Sequence, residues 1–147
     1  MDIEFGVDPM TEVHHVRKTF QSTGSEMDIG ALTAFTITGR VLVKNVTVFC
    51  TETFVGAATV DLGVTGNTDI FSPGTIANAT TFAANDWWVL SDGTTIPGGT
   101  PQVDWEQGVP ISADVILSVG AANITDGTMI IDLWYSSITD NGSLATA

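Results

Sequence analysis

Gly39-Arg40-Val41-Leu42-Val43-Lys44-Asn45-Val46-Thr47-Val48-Phe49-Cys50 is the longest strand-like run of the chain. Valine, threonine and phenylalanine dominate it, and such side chains fit a pleated, half-buried surface. Gly39 precedes it and no proline interrupts it. Val41 and Val43 share one face; under strict alternation Val46 and Val48 share the other. The apolar register therefore breaks at Lys44-Asn45. A bulge produces such a break, and so does a strand that passes between two packing environments. Apolar residues on both faces mark a central strand covered on both sides. The run is the spine of an all-β domain.

The flanking segments agree. Leu32 to Thr38 alternates, with Phe35 and Ile37 on one face and Thr36 and Thr38 on the other. Ala58, Val60, Leu62 and Val64 form one apolar face of a strand over residues 57–64. Asp86 to Leu90 is a short apolar strand. Val115, Leu117 and Val119 face inward on a strand over 111–120, and Asp126-Gly127 has the chemistry of a hairpin turn. On the last long strand, from Thr128 to Ile138, Met129, Ile131, Leu133 and Tyr135 share a face; Ile130, Asp132 and Trp134 share the other. Residues 93–110, rich in proline and glycine, read as a long loop with a short extended piece. Seven or eight strands at short spacing make a sandwich or a barrel.

The 147 residues suit one domain. Apolar residues make up 44% and charged residues 14%, against about 25% charged in ordinary soluble domains. So apolar a surface points to burial against other copies or another protein. The net charge of −13 disfavours nucleic acid, whose phosphates need lysine and arginine. No run of 18 apolar residues is present, so no membrane span is expected. Met1 followed by Asp2 and Glu4 gives no signal-peptide pattern. The charge is uneven. Arg17, Lys18, Arg40 and Lys44 are the four bases, and from Asn45 onward there are eleven acids and no base. An acidic face that aids solubility is one reading. The other is that it meets a basic partner, while His14-His15-Val16-Arg17-Lys18 contacts something acidic.

Residues 1–30 differ from the rest and read as an N-terminal arm ahead of a sandwich domain at 31–147, with residues 1–9 in part an expression scar or native. Val13, Val16 and Phe20 are spaced by three and four, as one short apolar stripe would require. The expectation is that residues 11–30 leave the sandwich. His14, His15, Arg17, Lys18 and Phe20 then contact a partner protein or a neighbouring copy.

Histidine or cysteine catalysis has little material. His14 and His15 are adjacent in the arm, and the single cysteine, Cys50, lies in the spine as a small buried apolar residue. Neither zinc nor an EF-hand calcium site has its ligand spacing, so no cofactor and no metal are expected. Asp104 and Glu106 flank Trp105, which makes a glycosidase-like pair or, more simply, a solvated loop. Trp87 and Trp88 fall on opposite faces of one strand. One belongs to the core; the other, with Trp105, is an oligomer contact or exposed aromatic.

Three pieces carry a resemblance: Phe35-Thr-Ile-Thr-Gly-Arg-Val-Leu-Val-Lys44, Ala57-Ala-Thr-Val-Asp-Leu-Gly-Val-Thr-Gly-Asn67 and Asp114-Val-Ile-Leu-Ser-Val119. In order and spacing they resemble small virion proteins of tailed bacteriophages, the head decoration or cement proteins, over roughly residues 31–140. The resemblance implies a jelly-roll-like antiparallel β-sandwich on the outer surface of the capsid. It implies a homo-oligomer, most often a trimer, bound to the major capsid protein, with no enzyme activity. A tail-fibre or receptor-binding module, holding host glycan through the loop around Trp105, is the alternative.

Overall fold

The computed structural model describes residues 12–72, 77–89, 94–97 and 108–147. Trp105, Asp104 and Glu106 lie outside these residues, as do residues 1–11. The strands in chain order are β1 (His14–Gln21), β2 (Gly30–Thr38), β3 (Val41–Val55), β4 (Thr59–Val64), β5 (Ala77–Asn78), β6 (Asp86–Val89), β7 (Thr94–Pro97), β8 (Val109–Ile111), β9 (Val115–Gly120), β10 (Asp126–Ser137) and β11 (Ser143–Thr146). Among the described residues they form two antiparallel sheets. The first runs β1-β10-β3-β6-β7, with β8 also on β3; the second runs β11-β2-β9-β4-β5.

The pairing is nested. β1 pairs with β10, β2 with β9, β3 with β6 and β8, and β4 with β5. Successive pairs fall in alternate sheets, as when one long hairpin is rolled up. This is the jelly-roll arrangement of an all-β sandwich. The core lies between the sheets. From β3 it takes Val41, Val43, Val46, Val48 and Cys50; from β10 it takes Met129, Ile131 and Leu133.

The register break in the spine is a bulge. Tyr135 faces Val43 and Trp134 faces Asn45, which leaves Lys44 as the extra residue. Val43 and Val46 both point into the core, so Lys44 and Asn45 both leave on the outer side. Strict alternation would have sent Val46 and Val48 outward; one inserted residue returns them to the core. Gly39 makes the preceding turn with φ +64, where a Cβ would collide with Thr139 and Asn141.

Three expectations are corrected. First, residues 14–21 do not leave the sandwich. They form β1, paired along its whole length with β10. His14, Val16, Lys18 and Phe20 alternate inward; Val16 packs on the core and Phe20 is 2% exposed. The alternation is hidden in the sequence because a lysine holds an inward place. Its stem lies at the sheet edge with Nζ 5.3 Å from the Phe20 ring centroid. Met27 is buried too, so the domain begins ahead of residue 31. Second, Asp126-Gly127 is not a hairpin turn. β9 and β10 lie in different sheets, and residues 121–125 cross between them. Gly127, at φ +119, serves a bulge in β10 where its Cα passes close to Phe54. Third, the spine does not stop with the run that ends at Cys50 but continues to Val55.

The sandwich is closed along one side by β1 and β11. Thr146 Oγ1 donates to the Arg17 carbonyl at 2.9 Å, and Lys18 Nζ donates to the Ala147 carbonyl at 2.8 Å.

Candidate functional site

The outer face of the first sheet is built in rows by strand register. One row is His15–Trp134–Asn45. The next is Arg17–Asp132–Thr47. A third is Thr19–Ile130–Phe49–Trp87. Each row exists because β10 carries bulky or charged residues at alternate positions on both faces, and β1 and β3 supply the neighbours.

Asp132 is the centre. Its side chain is 10% exposed. It accepts hydrogen bonds from Arg17 Nε at 2.7 Å and Arg17 Nη2 at 3.0 Å, and it lies 2.6 Å from His15 Nε2. A buried carboxylate needs such partners. The hydrogen bond to Asp132, reinforced by its charge, holds the Arg17 guanidinium above its ordinary pKa. The fork geometry makes Arg17 a fixed clamp between β1 and β10. Its side chain remains 58% exposed on the other side.

Aromatic rings surround this centre. The His15 ring lies 5.0 Å from Trp134, tilted by 32°, and Phe49 lies 4.7 Å from Trp87 at 48°. All three aromatic residues Trp134, Phe49 and Trp87 are half-buried on an outer sheet face. Two buried polar atoms here, Asn45 Oδ1 and Trp87 Nε1, have no hydrogen-bond partner among the described residues. Lys44 stands exposed beside Asn45, and Arg40 stands exposed where the chain enters β3. Neither makes an ion pair among the described residues.

The residues expected to act together are only partly brought together. His15 and Arg17 meet on the outer face. His14 points the other way and stacks on Tyr135 at 5.3 Å. Lys18 caps the sheet edge. Phe20 is buried in the core, so it is not a partner contact. The two indoles divide as alternation requires. Trp88 is 1% exposed and packs edge-on against Phe82, so it is no oligomer contact; Trp87 is on the outer face. Asp132, Trp134, Lys44 and Asn45 complete the face and were not singled out as contact residues. The alternation Ile130, Asp132, Trp134 was their signal.

His15 and Asp132 form a pair, yet the further partner of Asp132 is Arg17, and no hydroxyl or thiol among the described residues hydrogen-bonds the imidazole. Among the described residues no group of three or more His, Cys, Asp or Glu is placed to hold a metal ion. Cys50 is buried, and burial, then the charge of Asp86, pushes its thiol up to about 12. Such a thiol is unreactive at neutral pH.

No family model matches the chain, and no curated protein matches it. A solved structure similar in backbone course is a chain of the cyanophage Pam1 capsid asymmetric unit. The identity is 16% and the TM-score 0.49, with 92% of each chain covered. Both values are too low to bear on function.

Proposed function

We propose that the protein is a structural component of a phage virion that decorates the outer surface of the capsid and clamps neighbouring capsomers. It would act as a homo-oligomer, a trimer in the simplest case, bound to the major capsid protein, without catalysing a reaction. The observation that carries the reading is the outer face of the first sheet. A broad sheet surface with half-buried tryptophans and a saturated charge centre is suited to holding another surface. The resemblance of residues 35–44, 57–67 and 114–119 to tailed-phage decoration proteins supports the proposed location. The low content of charged residues, 14%, agrees with a surface partly covered in an assembly.

Each copy adds interface area across a joint of the shell. Repetition over the lattice multiplies a modest local contribution. Heating particles that carry the protein and particles from which it is deleted tests this. The expected result is a lower rupture temperature for the deleted particles; equal temperatures remove the clamping role. Immunogold labelling separates this from the receptor-binding alternative, because heads and tails are distinct in micrographs.

A further inference from the structure

The four bases of the chain are not spread over its surface. Arg17 and Lys18 lie in β1, Lys44 in β3, and Arg40 in the residue before β3. Three lie in strands of the first sheet and Arg40 where the chain enters it; no strand of the second sheet holds a lysine or arginine. Lys18 is spent at the edge, over Phe20 and on the Ala147 carbonyl. The other three stand on the outer face or at its end. Of the acids there, Asp132 is buried and saturated by Arg17 and His15, and Glu52, exposed at the far end of the face, accepts a hydrogen bond from Thr128 Oγ1. In a molecule of net charge −13, this is a local inversion of sign around half-buried aromatic rings.

We propose that this face docks an acidic protein surface, one that presents carboxylates around an apolar patch. Trp134 and Phe49 would supply the apolar contact, and Arg17, Lys44 and Arg40 the charge. Tryptophan and arginine are the residue types that most often dominate binding energy in interfaces. The bulge at Lys44 has a purpose in this account. It sends Lys44 and Asn45 out on the same side, which doubles the polar groups that β3 offers at that level. A second copy placed face to face is disfavoured. A two-fold contact would set the same three bases against each other. The inference deepens the proposed function and rests on its reading of this face as a binding surface.

The test uses the full chain labelled with nitrogen-15 and titrated with poly-L-glutamate, each step read by two-dimensional NMR. A polyanion is repelled by the molecule as a whole, so binding at low salt requires a local basic face. The expected result is shifts confined to the Trp134 indole and the amides of Arg17, Arg40 and Lys44. They should vanish at high salt. The double variant Lys44→Glu, Arg40→Glu should lower the apparent affinity about tenfold or more, because opposite charge replaces two free cations. Among the described residues neither side chain makes an ion pair that the substitution would break, so the variant is expected to fold. No shifts, or shifts spread over the second sheet, overturn the inference. The same shifts on raising protein concentration without poly-L-glutamate also overturn it, since the occupant is then another copy. Failure here in a protein that does decorate heads sinks this inference alone. Binding here by a protein absent from heads sinks the virion reading alone.

Discussion

The two sheets have similar cores and unlike outer faces. Outside the first sheet, rows run through Trp134, Asp132, Ile130, Phe49 and Trp87. Outside the second, they run Ala31–Ser118–Asp61, Thr33–Ile116–Gly63 and Thr36–Ala145. One surface is aromatic and charged in both signs; the other is mostly small and hydroxyl-bearing, with Asp61 and a buried Ile116 but no base. Core packing asks nothing of residues that point away from it. On the proposed reading the first surface meets a partner and the second mainly solvent.

The comparison is first broken through β1, which supplies an edge of the first face. Phe20→Ala should cost about 3–5 kcal/mol, as for any large buried aromatic. Thr33→Ala, on the second outer face, should stay within about 0.5 kcal/mol. Urea unfolding of both variants checks this. A Phe20 variant as stable as wild type would return residues 14–21 to the status of a loose arm.

At the centre of the first face, Asp132→Ala removes the acceptor that ties β1 to β10. The expected loss is about 1.5–3 kcal/mol, the scale for hydrogen bonds to charged groups. Ser118→Ala, its counterpart at the middle of the second face, should be close to neutral. Equal losses in the two variants would mean that the first face has no special centre.

The smallest effect concerns pH. Burial, and then the charge of Asp69, raise the Asp61 carboxyl above its ordinary pKa. The folded state then holds the proton more tightly than the unfolded chain. That contribution is complete below the unfolded value of about 3.9 and is lost as pH rises through the folded value. Asp61→Asn should therefore be more stable than wild type at pH 7, with the gain gone at about pH 3. A gain of the same size at both pH values would contradict the assignment to charge burial.

Much of the fold was legible because core alternation is strong. Phe35 and Ile37, Val60 and Leu62, and Met129, Ile131 and Leu133 each announced a strand and a shared face. The spine was legible as the longest run of strand-forming residues, and Lys44-Asn45 marked where its register breaks. β1 was illegible for a definite reason. Its inward positions are filled by His14, Val16, Lys18 and Phe20, and an edge strand tolerates a lysine whose head reaches water. The three-and-four spacing of Val13, Val16 and Phe20 then imitates a helix. The outer face was half legible. The residues of β10 were visible as a row, but Arg17 and His15 meet Asp132 more than a hundred positions away in sequence. Only the nested pairing of the sheet brings them together.

The central claim is that the first outer face is the covered one in the assembled particle and the second is not. Single cysteines at Thr19→Cys and Thr33→Cys test it, since both positions are exposed and lie one on each face. The native Cys50 is buried and its thiol is silent at neutral pH. Maleimide labelling is measured on free protein and on particles that carry it. The account predicts that the cysteine at position 19 reacts in solution and is protected on the particle, while the one at position 33 reacts at the same rate in both. Equal labelling of position 19 in solution and on the particle, or protection of position 33 alone, would contradict it.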